Sequence, residues 1–131
     1  MCMSNLNTLG IDIGSTTVKI AILDGNNHIL FADYQRHFAN IQETLAQLLK
    51  KARESLGAMD VIPAITGSGG LTLSKHLDVP FIQGVVAVAG ALQDYAPQTD
   101  VAIELGGEDA KIIYFTGGID QRMNGICAGG T

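Results

Sequence analysis

Residues 10–25 read GIDIGSTTVKIAILDG, and residues 102–117 read AIELGGEDAKIIYFTG. Aligned without a gap, the two stretches place Asp12 on Glu104 and Lys19 on Lys111, with a glycine two residues after each acid. Each stretch is an apolar strand that carries a carboxylate near its end, followed by a turn and a second apolar strand. Two hairpins with the same internal spacing predict a duplicated unit, whose two loops can hold one polyanion.

The composition indicates a compact α/β protein and argues against several kinds of partner. Of the 131 residues, 47% are hydrophobic, 16% are charged and none is tryptophan, which is typical of a folded domain rather than a disordered chain. The net charge is −5, and the densest basic cluster is the run of Lys50, Lys51 and Arg53 on a predicted helix. Nucleic acid and anionic membrane are therefore poor candidate partners. No apolar run approaches the ~20 residues that a membrane span requires.

The cysteine usage and the first residues favour the cytoplasm. Residues 1–5 lack the basic and apolar segments of a signal peptide. Only Cys2 and Cys127 are present, so no disulfide framework is indicated. Since disulfides are rare in a reducing compartment, this usage fits a cytoplasmic protein.

Hydrophobic periodicity and turn residues predict one complete α/β unit and the start of a second. The helix over 41–56 has Asn40 as its expected N-cap, with Glu43 completing a capping box, and Gly57 as its stop. Pro63 moves its strand toward the edge of a sheet. The predicted elements are strands 8–14, 17–23 and 28–34, helix 41–56, strand 61–66, helix 71–77, strand 79–82, helix 84–95, and strands 101–105, 110–115 and 119–124.

This order places a domain boundary near residues 96–99. We expect a complete first domain over 1–97 and the first strands of a truncated second domain over 98–131. The segment 128–131 has the composition of a helix start, so the chain is interpreted as a fragment.

The first hairpin contains a candidate phosphate site. Asp12 ends a strand, and Gly14, Ser15 and Thr16 form the turn that follows. Backbone N–H groups and hydroxyls of such a turn can bind phosphate oxygens. Asp12 could hold a hydrated Mg²⁺, and Lys19 could neutralise a phosphate. The alternative is an ordinary hairpin with a solvated aspartate.

The second hairpin offers a matching loop. Glu104 takes the place of Asp12, and Gly106, Gly107 and Lys111 take the places of the turn and the lysine. The acidic pair at 108 and 109 would repel a bare phosphate, so Mg²⁺ or a water-activating role would have to account for it. The alternative is a loop with solvated charges.

Three further features leave more than one interpretation open. The glycines of 67–70 precede a helix and could bind an anion there, or they form a flexible connector. Cys127 lies near a predicted helix start, where the helix dipole favours a metal-binding thiolate, although a lone cysteine is more often a small buried hydrophobe. His28, His37 and His76 share no metal-ligand spacing and are interpreted as structural or surface residues.

Four motifs occur in order along the chain: GIDIGSTTVKIAILD, ITGSGG, ELGGEDAKIIYF and MNGICAGGT. The paired hairpins resemble those of the actin, Hsp70 and sugar-kinase superfamily, which has a ribonuclease H-like α/β fold. The combination is similar to the BadF/BadG/BcrA/BcrD-type ATPases, which include benzoyl-CoA reductase subunits and 2-hydroxyacyl-CoA dehydratase activators. It most resembles the N-terminal part of the longer CoA-substrate-specific enzyme activases. The resemblance runs over nearly the whole chain from Thr8.

The resemblance implies an ATPase that holds ATP or ADP and Mg²⁺ between two domains. Asp12 and Glu104 match the catalytic acids, and Asp12 would bind Mg²⁺ through water. The residues that match the two phosphate loops are Gly14, Ser15, Thr16 and Lys19 in the first and Gly106, Gly107 and Lys111 in the second.

The resemblance also implies a redox function. Cys127 matches a ligand of a 4Fe-4S cluster that two subunits of a homodimer share. ATP hydrolysis would then drive a low-potential electron into a partner acyl-CoA dehydratase or reductase. Shorter activators carry Asp at the position of Glu104 and Gln at that of Glu108, so the chain departs from their pattern and resembles the longer members.

Three functions therefore compete. The first is an ATP-driven electron-transfer activator, and the second is a sugar-kinase-like phosphotransferase without a cluster. The third is a non-catalytic module in which the glycine turns are only structural. Cys127 distinguishes the first from the second, and the paired hairpins distinguish both from the third.

Overall fold

The computed structural model describes residues 6–106, 110–115 and 120–123. The chain forms two compact units that divide between Ile82 and Gln83. None of the helices in these described ranges is long and apolar enough to cross a membrane. Each unit is described separately below.

A four-stranded sheet forms the first unit. Strands β1 (Asn7–Ile13), β2 (Thr17–Leu23) and β3 (Ile29–Arg36) make an antiparallel meander. Strand β4 (Val61–Thr66) pairs in parallel with β1, which gives the order β3-β2-β1-β4. β1 therefore lies between a neighbour close in sequence and one about fifty residues away.

The core lies on one face of this sheet, under helix α1 (Ile41–Leu56). The alternation in β1 and β2 explains this, because every second residue is an apolar side chain that points to the same face. The helix contributes an apolar stripe that includes Leu45, Leu48 and Ala52. The fully buried side chains of this core are Ile13, Val18, Leu48 and Ile65.

The ends of α1 agree with the sequence prediction in position but not wholly in chemistry. Gly57 ends the helix with φ +81 and donates its N–H to the carbonyl oxygen of Arg53 at 2.8 Å. Asn40 precedes the helix, but its side chain makes no capping bond. Its Nδ2 instead donates to Oε2 of Glu43 at 2.9 Å, so the predicted capping box does not form.

Pro63 lies in β4, as predicted, where its missing N–H does no harm. Two residues later Ile65 donates its N–H to the carbonyl oxygen of Pro80, away from β1. Since alternate residues of a strand point their N–H groups to the same side, the nitrogen of Pro63 also faces the outer edge. The predicted strand 79–82 is reduced there to a single bridge between Ile65 and Phe81.

Helix α2 (Gly70–Leu77) completes the first unit, and it ends at Asp78 in the left-handed conformation with φ +53. The second unit contains helix α3 (Gly84–Tyr95) and the strands β5 (Val101–Leu105), β6 (Ala110–Tyr114) and β7 (Asp120–Met123). The three strands form an antiparallel meander in the order β5-β6-β7. Helix α3 therefore belongs to the second compact unit, whereas the sequence placed the boundary after it. The assignment of ATPase domains to 1–97 and 98–131 stays a prediction.

The turn between β2 and β3 is organised by one carboxylate. Asp24 Oδ1 accepts the backbone N–H of His28 at 2.9 Å and that of Asn26 at 2.8 Å. These bonds, with the His28 N–H the largest contribution, lower the pKa of Asp24 below its ordinary value of 3.8. Asn27 completes the turn in the left-handed region with φ +64.

This turn should make the stability of the chain depend on pH at the acid end. The lowered pKa of Asp24 means that its carboxylate stabilises the fold above pH 3.8 and loses this effect as the pH falls through the folded-state pKa. We expect the difference in unfolding free energy between wild type and Asp24→Asn to vanish on acidification, as measured by urea unfolding between pH 2 and 6. Asp24→Ala, which lacks both oxygens, should be less stable throughout. A pH-independent difference for Asp24→Asn would contradict this account.

Candidate functional site

The first hairpin places its acid and its lysine side by side. Asp12 of β1 lies directly opposite Lys19 of β2 in the antiparallel register. The Lys19 Nζ is 3.5 Å from Asp12 Oδ2, and the two side chains are 52% and 39% exposed. An exposed pair of this kind contributes little to stability, roughly 0–1 kcal/mol. Both charged groups therefore remain accessible to a ligand.

The turn between these strands is short and internally bonded. Gly14 donates its N–H to the carbonyl oxygen of Thr17 at 2.9 Å. This amide is therefore bonded within the turn. Ser15 is exposed and Thr16 is partly exposed, so both side chains are accessible. The predicted phosphate binding by Gly14, Ser15 and Thr16 stays a prediction.

The glycine loop that follows β4 packs against the end of β1. Gly67 has φ +99, and a Cβ built on it would lie 2.5 Å from Asp12 Oδ1. Gly69 donates its N–H to the carbonyl oxygen of Ile13 at 2.9 Å. A Cβ on Gly70 would lie 2.7 Å from Cγ2 of Ile65. This loop therefore packs closely beside the Asp12 carboxylate, and its interpretation as an anion site stays a prediction.

Thr66, which the sequence analysis did not select, lies beside the same carboxylate. It is opposite Asp12 in the parallel β1–β4 register, so the two side chains project from the same face of the sheet. Its Oγ1 is buried and has no hydrogen-bond partner among the described residues. Buried hydroxyls are normally paired with protein or with water. The available sequence signal was only its position at the end of the predicted strand 61–66.

His37 contacts the turn between β1 and β2 through both its backbone and its ring. Its backbone N–H donates to the carbonyl oxygen of Thr16 at 3.0 Å, and its Nε2 lies 3.0 Å from the carbonyl oxygen of Gly14. The side chain is buried, with 7% exposed. The sequence analysis classed this residue as structural or surface, and no local motif connects it to a turn about twenty residues earlier.

The second hairpin repeats the pairing of acid and lysine. Glu104 of β5 lies opposite Lys111 of β6, with Nζ 3.9 Å from Oε2. The Lys111 side chain is largely buried, and a Cβ on Gly84, the first residue of α3, would lie 3.5 Å from its Nζ. Oε2 of Glu104 is buried and accepts no hydrogen bond from the described residues.

The two hairpins share one arrangement, as the aligned sequences predict. In each, the acid and the lysine face each other across an antiparallel pair, and a third antiparallel strand follows. Gly107, the acids at 108 and 109, and Cys127 lie outside the described residues. Within the described part of the chain no three His, Cys, Asp or Glu side chains converge on a possible metal position.

Comparisons with known proteins agree with this arrangement. Component A of (R)-2-hydroxyglutaryl-CoA dehydratase from Acidaminococcus fermentans superposes with a TM-score of 0.80 at 24% identity, over 95% of this chain and 49% of that one. The activator of 2-hydroxyisocaproyl-CoA dehydratase from Clostridium difficile, solved with bound ADPNP, gives 0.79 at 26% identity, over 91% and 46%. An uncharacterised protein of Methanocaldococcus jannaschii is 27% identical over 94% of this chain and 50% of its own length.

The chain thus spans about half the length of these three proteins. The structural matches confirm the actin-like ATPase fold predicted from the paired hairpins. The family model for BadF/BadG/BcrA/BcrD ATPases matches residues 9–131. The protein described here therefore belongs to the BadF/BadG/BcrA/BcrD ATPase family.

Proposed function

We propose that the protein is an ATP-driven activator that transfers a low-potential electron from an iron-sulfur cluster to an acyl-CoA dehydratase or benzoyl-CoA reductase-like enzyme. The observation that carries the ATPase part is the repeated acid–lysine pair, 3.5 Å apart in one hairpin and 3.9 Å in the other. Membership of an ATPase family and the likeness to a dehydratase activator solved with ADPNP support the same function.

The first unit fits a nucleotide phosphate with Mg²⁺. Asp12 presents an accessible carboxylate, and the buried hydroxyl of Thr66 beside it has no partner in the described chain. Oxygen ligands and retained water are what Mg²⁺ prefers, so Asp12 would hold the ion through water. When bound, Mg²⁺ neutralises charge on the phosphate oxygens. Lys19 would neutralise a further part, with Ser15 and Thr16 as hydrogen-bond donors.

The second unit supplies a candidate proton acceptor. The buried Oε2 of Glu104 can accept a hydrogen bond from water. In the proposed hydrolysis, water attacks the terminal phosphorus as the bond to the ADP oxygen breaks, and a carboxylate takes up the water proton. Lys111 would stabilise the charge that moves onto the phosphate oxygens. Gly106 and Gly107 would allow the close approach of backbone to phosphate.

The redox part of the proposal rests on Cys127, which lies outside the described residues. The resemblance implies that each subunit of a homodimer supplies thiolates to one 4Fe-4S cluster, and thiolates are the usual ligands of such clusters. The described residues contain no cysteine, and the proposed hydrolysis involves only the residues of the two hairpins. The partner enzyme would receive the electron after ATP is hydrolysed.

The role of Asp12 predicts a large loss of hydrolysis in Asp12→Asn. Removing the carboxylate that would hold the hydrated Mg²⁺ should lower the hydrolysis rate on the order of 100-fold or more. Asp33→Asn is a matched control, because Asp33 pairs with Lys51 at 3.4 Å and is about as exposed as Asp12. Phosphate release from ATP, measured for both variants, checks the prediction. Equal rates in the two variants would contradict it.

The close approach of Gly67 to Asp12 predicts that Gly67→Ala impairs nucleotide binding. Both Gly67 and Gly57 have positive φ, so the strained backbone alone should cost alanine at either position about 1–2 kcal/mol. At Gly67 the added Cβ would also collide with the backbone carbonyl oxygen of Ile13 and with Asp12 Oδ1, so Gly67→Ala should be the less stable variant, whereas nothing lies within 4 Å at Gly57. Calorimetric titration with Mg²⁺ and ADPNP should therefore show weaker binding for Gly67→Ala than for Gly57→Ala. Equal affinities for the two variants would show that the close packing of Gly67 does not position the Asp12 carboxylate.

The cluster assignment predicts equal amounts of iron and acid-labile sulfide in protein purified without oxygen. Cys127→Ala should lose both, because it removes a cluster thiolate. Cys2→Ala should retain both and controls for the loss of a cysteine as such. Absence of iron in the wild type, with ATP binding intact, would overturn the activator function and favour a kinase-like phosphotransferase.

A further inference from the structure

We propose that His37 is a positioning residue of the first phosphate-binding turn, and that it directs the backbone N–H of Ser15 toward the ligand. The proposal rests on the proposed function, because it assigns the turn 14–17 to phosphate binding. It concerns a residue in the segment between β3 and α1, which no motif of the phosphate loops includes.

His37 contacts two carbonyl oxygens of the turn. The backbone N–H of His37 donates to the oxygen of Thr16, and its ring Nε2 lies 3.0 Å from the oxygen of Gly14. One residue thus holds a carbonyl on each side of Ser15. In a trans peptide the C=O and the following N–H point in opposite directions. The N–H of Ser15 therefore points away from His37. Thr17 differs, because its carbonyl oxygen accepts from Gly14 and its N–H faces the same side, toward β1.

The hydrogen bonds of the His37 ring indicate which of its two nitrogens carries the proton. Ala39 donates its backbone N–H to Nδ1 of His37 at 3.0 Å. Nδ1 must therefore carry a lone pair, so the neutral ring holds its proton on Nε2. That proton is donated to the oxygen of Gly14. The hydrogen-bond network thus fixes the tautomer that the contact with the turn requires.

An unusual backbone conformation after His37 brings the N–H of Ala39 back to the ring. Phe38 and Ala39 both have positive φ, +46 and +66, which is unfavourable for residues with a Cβ. The Phe38 side chain is 82% exposed, so its own burial does not account for this conformation. The two left-handed residues return the N–H of Ala39 to the ring of His37. Strain of this kind persists where the surrounding structure requires it, often at functional sites.

Further contacts fix the position of His37 itself. The His37 ring is buried, and the carbonyl oxygen of His37 accepts the N–H of Asn40 at 2.6 Å. The carbonyl oxygen of Asn40 in turn accepts the N–H and the Oγ1 hydrogen of Thr44, at 3.1 and 2.8 Å, in the first turn of α1. The position of the phosphate turn is therefore tied through His37 to a helix of the core.

Two conservative variants separate positioning from simple packing. In His37→Gln the side-chain amide can reach the position of Nε2 and donate to Gly14. In His37→Asn the shorter side chain can place Oδ1 near Nδ1, where it accepts from Ala39 but does not reach Gly14. His37→Gln thus retains the contact with Gly14, and His37→Asn retains the contact with Ala39. His37→Leu retains neither contact.

The test measures three quantities for each variant. They are the dissociation constant for Mg²⁺ with ADPNP, the backbone amide chemical shifts of Ser15 and Thr17, and the free energy of unfolding. We expect His37→Gln to bind within about threefold of wild type and His37→Asn to bind about tenfold more weakly, the effect of one hydrogen bond. The Ser15 amide shift should be retained in His37→Gln and changed in His37→Asn.

Equal binding by both variants, or losses that follow only their stabilities, would overturn the positioning role. If the wild type binds no nucleotide, the proposed function fails, and the Ser15 amide shift alone decides the role of His37. A shift retained in His37→Gln and lost in His37→Asn then supports the proposal, and any other pattern overturns it. The comparison does not require His37→Leu to fold.

Discussion

The parallel pairing of β1 with β4 is the constraint on which the first candidate site depends. It places Thr66 beside Asp12 and brings the glycine loop after β4 against the last residues of β1. The antiparallel pairing on the other side of β1 sets Lys19 beside the same carboxylate. Because β1 is fixed on both sides by backbone hydrogen bonds, Asp12 has little freedom to move along the sheet. The carboxylate is thereby held in one place without being buried.

The absence of a side chain at Gly67 is the physical condition for this arrangement. A turn with φ +99 is unfavourable for other residues, and any Cβ would occupy the space beside the carboxylate. Gly69 and Gly70 allow similarly close contacts with Ile13 and Ile65. The loop therefore contacts both the core and the site, so the packing of the core fixes the surroundings of the Asp12 carboxylate. Dense packing of this kind resists displacement, which suits the proposed role of Asp12 beside a phosphate.

The electrostatics of the two hairpins are related but not identical. The pair of Asp12 and Lys19 is well exposed, whereas Lys111 is largely buried beside Glu104. Burial strengthens the interaction of a charge with its neighbours, because less water screens it. The second pair would therefore respond more strongly to a phosphate or a metal ion than the first. Since lysine accompanies the acid in both hairpins, each loop can approach an anion although the chain as a whole is acidic.

Much of the fold could be predicted from local sequence patterns. The bounds of α1, α3, β2, β4 and β5 agree with the predicted ranges, because alternation, helical periodicity and glycine or proline stops are local signals. The sequence showed that the acid and the lysine recur at the same spacing, but the strand register established that Asp12 lies opposite Lys19 and Glu104 opposite Lys111. The capping box at Asn40 was predicted wrongly, because a local motif does not decide which partner a side chain finds.

The sequence by itself determined the two hairpins, the repeated positions of their acid and lysine, and the family to which the chain belongs. Only the tertiary structure decided that Lys19, Thr66 and Gly67 lie beside Asp12. It also decided that His37 holds the turn of the first hairpin. The reason is physical: most of these contacts join segments that are distant in sequence, and strand pairing and loop closure establish them rather than any periodicity within one segment.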